Sequence, residues 1–214
     1  MAGATSTPRE RYRDQVRAEV KQQAWEQIAT AGASALSLNA IAKRMGLSGP
    51  ALYRYFASRD ELITELIRDA YRSLADAFRA AAATGPGLAP LGHALRTWAL
   101  ADPHRYLLIY GTPVPGYHAP AETTAIASEI MAVLLNAAGA VPAREAADPL
   151  AEHLAEHGGR AGDHPAAPAD LRLALTFWTR LHGVLSLELA GHFQGMGFDP
   201  AALFTAELDR LAER

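Results

Sequence analysis

The chain has 214 residues, half of them hydrophobic, no cysteine and a formal net charge of −3. That length suits one large domain or two small ones with a real apolar core. The missing cysteine excludes disulfides, thiolate metal sites and a thiol nucleophile. No apolar run reaches the roughly 18 residues of a membrane span; the best candidate, 124–141, is interrupted by Glu129 and Asn136. The N-terminus also lacks the apolar stretch of a secretory leader. A cytoplasmic protein with no membrane partner is therefore expected. Its charge is uneven: residues 1–59 carry nine basic and four acidic side chains, residues 60–214 carry 11 and 19. A basic head on an acidic body attracts polyanions locally, although a solvated basic helix would have the same composition.

Helical periodicity runs through most of the chain, and strand alternation is absent. Thr7-Pro8-Arg9-Glu10 reads as a capped helix start with a first-turn proline. Val16, Val20, Trp25, Ile28 and Ala31 then mark one apolar face, closed by Gly32. Ser37 caps a short helix from Leu38 to Met45, ended by Gly46, and a second short helix runs from Ser48 or Gly49 to about Phe56. Ser58-Arg59-Asp60-Glu61 is a second capping box. It opens a long amphipathic helix through Leu62, Ile63, Leu66, Ile67, Ala70, Tyr71, Leu74 and Phe78, ending before Gly85-Pro86-Gly87.

Further helices are expected at about 88–101, 103–110, 121–139, 169–193 and 200–213. Asp102-Pro103 and Asp199-Pro200 place a capping acid before a first-turn proline at two of the starts. The stretch 111–120 holds too many prolines and glycines for a helix. Residues 142–169 read as a mobile connection around one short helix.

The segment Leu36-Ser-Leu-Asn-Ala-Ile-Ala-Lys-Arg-Met-Gly-Leu-Ser-Gly-Pro-Ala-Leu-Tyr-Arg-Tyr-Phe56 carries the functional signal. It reads as helix, tight turn, helix, with Ile41, Ala42, Met45, Leu47 and Leu52 inward and Gly46 at the left-handed turn. Both helices are too short to stand alone. The second begins with Ser48-Gly49-Pro50-Ala51, small and uncharged, the profile of a helix whose first turn enters the DNA major groove. Tyr53, Arg54 and Tyr55 then offer hydroxyl and guanidinium donors to phosphate or base edges. Arg59, Lys43 and Arg44 are placed for further phosphates. The competing reading makes the tyrosines packing aromatics and the cations a solvated face.

Ile41-Ala42, Gly46-Leu47-Ser48, Leu52-Tyr53-Arg54-Tyr55-Phe56 and Asp60-Glu61-Leu62 closely resemble the N-terminal domain of the TetR family of bacterial transcriptional regulators, over about residues 12–67. The resemblance implies an all-α, Ω-shaped homodimer: an N-terminal three-helix helix-turn-helix domain, followed by a helical-bundle domain for ligand binding and dimerisation. It implies repression of a palindromic double-stranded DNA operator, relieved by a small-molecule effector. DNA contacts carry over to Asn39, Ser48, Gly49, Pro50, Ala51, Tyr53, Arg54, Tyr55 and Arg59. Position 54 is Arg where many members have His, so base specificity does not transfer. Trp178-Thr-Arg-Leu-His182-Gly183, with the proline-rich loop 111–120, resembles the Trp-His-Gly subgroup of C-terminal domains. The division expected is 1–58 for the DNA-binding domain and 59–214 for the body.

Small-molecule pockets lie between bundle helices, apolar with few polar groups. Trp98, Tyr106, Tyr110, Met131, Trp178, His182 and Glu188 are the candidates, each of the aromatics being a core residue by default and His182 a hydrogen-bonded core histidine. The last two helices can pair with their copies through Leu173, Leu181, Leu185, Leu203, Leu208 and Leu211, with Gly183 allowing close approach. Two recognition helices would then stand roughly 34–36 Å apart or slightly more.

No cofactor, metal or catalytic set is expected on this reading. The rival is a zinc hydrolase on His153-Leu-Ala-Glu156-His157, two imidazoles one helical turn apart with a glutamate to activate water. It is weakened by the short helix that Pro149 and Gly158-Gly159 allow. A third reading is a helical module whose basic head meets acidic proteins.

Overall fold

The computed structural model describes residues 7–118, 120–141, 149–157 and 166–212. Ten α-helices follow one another among them: α1 (Pro8–Ala31), α2 (Leu38–Arg44), α3 (Gly49–Leu52), α4 (Arg59–Ala82), α5 (Ala89–Ala101), α6 (Pro103–Tyr110), α7 (Ala121–Gly139), α8 (Pro149–His157), α9 (Pro168–Leu189) and α10 (Pro200–Ala212). No strand occurs among the described residues. The expected connection over 142–169 thus contains α8; its stretches 142–148 and 158–165 lie outside the described residues, as do residues 213–214.

The helix starts follow the capping chemistry in the sequence. Thr7 accepts from the Glu10 N–H while the Glu10 carboxylate accepts from the Thr7 N–H, a complete capping box. Ser37, Ser48, Ser58 and Asp102 cap α2, α3, α4 and α6 with the first half of that arrangement, each side chain accepting from the N–H three residues on. At α4 the reciprocal half differs from expectation, because the Glu61 carboxylate accepts from the Ala57 N–H at 2.6 Å.

Two glycines set helix ends. Gly46, at φ +67°, lets the Leu47 N–H reach back to the Ala42 carbonyl and closes α2. Gly191, at φ +78°, does the same for α9 through His192 N–H to Leu187 O. That motif stops α9 at Leu189, four residues short of the expected end. The second short helix also ends early. After Leu52, the Arg54 and Tyr55 N–H groups bond three residues back, which winds 53–55 into a tight turn.

Two hydrophobic cores result. The head core gathers Val16, Val20, Ala24 and Ile28 of α1, Leu38, Ile41 and Ala42 of α2, Leu52 and Phe56, and Leu62, Ile63, Leu66 and Ile67 of α4. The body core begins further along the same helix, at Ala70, Leu74, Ala75 and Phe78, and continues through α5, α6, α7, α9 and α10. One helix therefore carries both cores, and Tyr71 packs against each. The proline-rich stretch 111–120 is a strap rather than a loose loop. Val114 is buried in the head core, and the Tyr117 hydroxyl lies 3.0 Å from that of Thr64.

The leucines expected at a dimer seam are not on the surface. Leu173, Leu181, Leu185, Leu208 and Leu211 are buried in the body core and Leu203 packs against it. A strongly apolar stripe faces a chain's own interior first, and here it is consumed there. The outward faces of α9 and its following turn carry Thr179, Gly183, Leu187, Met196 and Phe198 instead.

Candidate nucleic-acid interface and buried aromatic nest

The head presents the turn between α2 and α3 to solvent. Ser48 and Pro50 are exposed, Gly49 and Ala51 half-buried, and Leu52 fully buried as the anchor of α3. Asn39 is exposed beside them: a methyl group added at Gly49 would stand 3.7 Å from its Oδ1. Tyr53 is 45% exposed and Arg54 is exposed, so both extend from the end of α3 without packing inward. Lys43 is exposed at the end of α2.

Three other expected contacts are engaged within the head. Tyr55 is half-buried against the head core. Arg44 pairs with Glu26 at 2.6 Å, but both side chains are about half exposed. Such a pair contributes little and yields readily to a phosphate. Arg59, expected at a phosphate, turns inward and donates to the carbonyls of Leu36, Ala33 and Ser34. A guanidinium carries enough donors to serve all three oxygens, of which that of Ala33 also accepts from the Leu36 N–H.

Arg17 is a residue that local pattern could not find. It donates to the Tyr55 carbonyl, sits 4.2 Å above the Phe56 ring and faces Glu61 and Glu65. It thus fixes the far end of the recognition segment through contacts 38 or more residues away.

In the body, four expected pocket residues come together. Tyr106 donates and accepts within a triad, its hydroxyl 3.0 Å from His182 Nδ1 and 2.9 Å from Ser186 Oγ. Ring centroids separate Tyr110 from His182 by 4.4 Å, Trp178 from His182 by 4.2 Å and Tyr110 from Tyr106 by 5.3 Å. Burial pushes the Tyr106 and Tyr110 phenols upward and holds His182 down at about 4, so the nest is neutral. Two polar atoms inside it, the Tyr110 hydroxyl and His182 Nε2, have no hydrogen-bond partner among the described residues.

The remaining candidates lie at its margins. Trp98 closes one side at 6.5 Å from Tyr106 and donates to Ser73 Oγ. Met131 packs on the body core. Glu188 is taken up by Arg96 in a two-pronged pair at 2.5 and 2.8 Å, so its charge is answered within the fold. A cavity of about 350 Å³ opens beneath the strap, lined by Ile67, Tyr71, Ile109, Val114, Tyr117 and Thr123 among others. It shares Tyr71 with the nest, since that ring meets Tyr110 edge-on at 6.1 Å.

The zinc reading gains no support. His153 and Glu156 stand on the exposed side of α8, and the His157 side chain lies outside the described set. No cluster of three or more metal-ligating side chains occurs among the described residues, and none of their helices is long and apolar enough to cross a membrane.

Two family models match the chain. Residues 22–66 match the family model for bacterial regulatory proteins of the tetR family, and residues 88–211 match the tetracyclin repressor-like C-terminal domain. The chain is 33% identical over 210 residues to the HTH-type transcriptional regulator Rv1816 of Mycobacterium tuberculosis, covering 91% of this chain and 90% of that one. The solved structure of the protein SCO4313 superposes with a TM-score of 0.90 at 66% identity, covering 97% of this chain and all of the other. The TetR family transcriptional regulator PfmR from Thermus thermophilus shares the fold at a TM-score of 0.59 and 16% identity, over 91% of this chain and 97% of that one.

Proposed function

Because the chain belongs to the TetR family of DNA-binding transcriptional regulators, we propose that it works in the cytoplasm as a homodimeric repressor without catalytic activity, binding a palindromic operator that a small molecule makes it release. The observation that carries this is the leading end of α3. Four small residues, capped by Ser48, stand at the surface on one buried leucine, with Asn39, Lys43, Tyr53 and Arg54 exposed around them. Ser48, Gly49, Pro50 and Ala51 approach base edges, Tyr53 and Arg54 take phosphate or guanine, and Asn39, Lys43 and Arg44 hold the backbone alongside. Tyr55 and Arg59 set the shape of this surface from behind.

Dimerisation uses the outward side of α9 and the turn after it. Leu187, Met196 and Phe198 are 45%, 62% and 40% exposed, and Gly183 opens onto free space where a second backbone fits. The effector occupies the aromatic nest of Tyr106, Tyr110, Trp178 and His182, with Trp98 and Met131 behind it. Relief of binding follows from α4, which is embedded in both cores: a ligand favouring one body packing shifts the spacing of the two heads.

Selection of duplexes from a random library by the purified protein tests the core of this reading. An inverted repeat with half-sites about one helical turn apart is expected. Recovery of unrepeated sequence, or no enrichment, overturns it.

A further inference from the structure

The first two turns of α1 have no structural purpose in the fold. Every residue from Thr7 to Gln15 is exposed, and the first buried residue of this 24-residue helix is Val16. Burial normally keeps a helix formed; here the Thr7–Glu10 box holds an overhang that packs on nothing.

The ion pairs give its direction. Arg17 faces Glu61 and Glu65, and Lys21, one turn later, faces Glu65 and Asp69. The two helices therefore advance the same way, and α4 starts just after the recognition segment. Residues ahead of Arg17 consequently extend past the start of α4, on the side away from the body. Arg17 itself touches the Tyr55 carbonyl and the Phe56 ring, which pins the overhang beside the end of the recognition segment. At 1.5 Å per residue, Arg13 stands about 6 Å and Arg9 about 12 Å beyond it.

The cations of the head divide sharply. Arg17, Lys21, Arg44 and Arg59 are partnered by acids or carbonyls. The side chains of Arg9, Arg11, Arg13, Lys43 and Arg54 form no ion pair or hydrogen bond with another described residue. Two of these five lie on the recognition surface and three on the overhang. Arg9, Tyr12 and Arg13 follow the three- and four-residue spacing of one helical face, the face of Arg17, whereas Arg11 points to the other side. Tyr12 is 61% exposed. The Glu10 carboxylate is turned back onto Thr7.

We propose that the leading turns of α1 are a second DNA-contacting element, in which Arg9 and Arg13, with Tyr12 between them, hold phosphates flanking the site that α3 reads. The inference rests on the DNA-binding reading of the head and adds contacts outside the helix-turn-helix. It takes duplex DNA by its backbone, so it strengthens binding to all sequences alike.

The test compares full-length wild type, Arg9→Gln/Arg13→Gln, Arg9→Lys/Arg13→Lys and Arg11→Gln. Each is titrated across a salt series with a labelled duplex of random sequence and with the selected operator. The double glutamine variant removes two contacts from each protomer of the homodimer, so the slope of log affinity against log salt should flatten by about 3.6, roughly 0.9 for each lost phosphate contact. It should leave the ratio of operator to random affinity unchanged. The lysine pair should keep the wild-type slope, and Arg11→Gln should move it little. An unchanged slope in the double glutamine variant, or an equal effect of Arg11→Gln, overturns the proposal while wild-type binding stands. A wild type that binds neither duplex removes the DNA-binding reading itself.

Discussion

The head keeps Lys43 and Arg54 unpartnered at its surface around a bare helix end, whereas the body hides its uncommitted polar atoms, the Tyr110 hydroxyl and His182 Nε2, inside an aromatic nest. An exposed cation costs almost nothing to leave unpaired, because water solvates it. A buried donor or acceptor without a partner costs about 1–3 kcal/mol. The head can thus wait for a large polyanion with no loss of stability, while the body gives up stability by keeping two buried polar atoms without partners. On the proposed assignment of the effector to the nest, recognition from outside and recognition from within call for opposite placements of polar groups, and α4 contributes to both cores.

The contrast is broken most severely by removing the head's own core. Phe56 is fully buried and lies beneath Arg17. Phe56→Ala should cost about 3–5 kcal/mol by cavity formation. Because the head core is separate from the body core, the loss should melt the head first. Thermal unfolding should split into two steps and operator binding should vanish, with Trp98 and Trp178 fluorescence retained through the first step. A single concerted transition would show that the cores are one cooperative unit.

Next comes the buried imidazole. Folding lowers the His182 pKa from 6.5 to about 4 through burial. Between those values the unfolded chain binds a proton that the folded chain refuses, so stability is full above about pH 6.5 and falls as pH drops toward 4. The loss should reach on the order of 3 kcal/mol at pH 4. Urea unfolding of wild type and His182→Gln across this range isolates it, since the difference between the two should change only in that window. Equal pH dependence in both proteins would mean that the imidazole is not shielded from water.

How much of this was legible in sequence depends on the range of the interaction. Capping residues, breaker glycines and first-turn prolines act within a few residues of themselves, so most of the helix limits could be read from Thr7, Ser37, Ser48, Ser58 and Asp102. Where helix ends shifted, at Leu52 and Leu189, a turn and a glycine-closed motif competed locally with periodicity. The exposed residues of α3 were equally legible, because a small, uncharged helix start is unusual. The inward turn of Arg59 was not, since it answers carbonyls 23 to 26 residues earlier in the chain. Nor was the burial of Leu181, Leu185 and Leu208, because an apolar stripe does not say whether it meets its own chain or a copy. Tyr110 and His182 could be nominated as polar atoms on apolar segments, but their lack of partners is a property of the assembled nest.

On the head surface, Arg54→Ala should weaken operator binding by about 1–3 kcal/mol if the guanidinium reads a base. Its effect should be confined to duplexes that carry the recognised base, and operators altered at that position should lose little more. A uniform loss across all duplexes, with a flatter salt slope, would instead assign Arg54 to a phosphate. Fluorescence anisotropy with single-base operator variants separates these outcomes, and circular dichroism should show the helical content unchanged.

The smallest effect addresses the joint between the two regions. The Tyr117 and Thr64 hydroxyls meet 3.0 Å apart, where the strap crosses α4. Either residue alone contributes packing as well as this bond, so the pair is best measured by a double-mutant cycle of Tyr117→Phe and Thr64→Val. A coupling of about 0.5–1.5 kcal/mol in stability is expected for a partly buried neutral hydrogen bond. Val114 stays buried in the head core in both variants, so the strap should remain docked and basal operator affinity should hold. What should change is transmission. With the bond gone, the strap can move relative to α4 without dragging the head, and any small molecule that lowers operator affinity of the wild type should lower it less in the double variant. Undiminished release would place the coupling in α4 alone, with the strap only covering the head core.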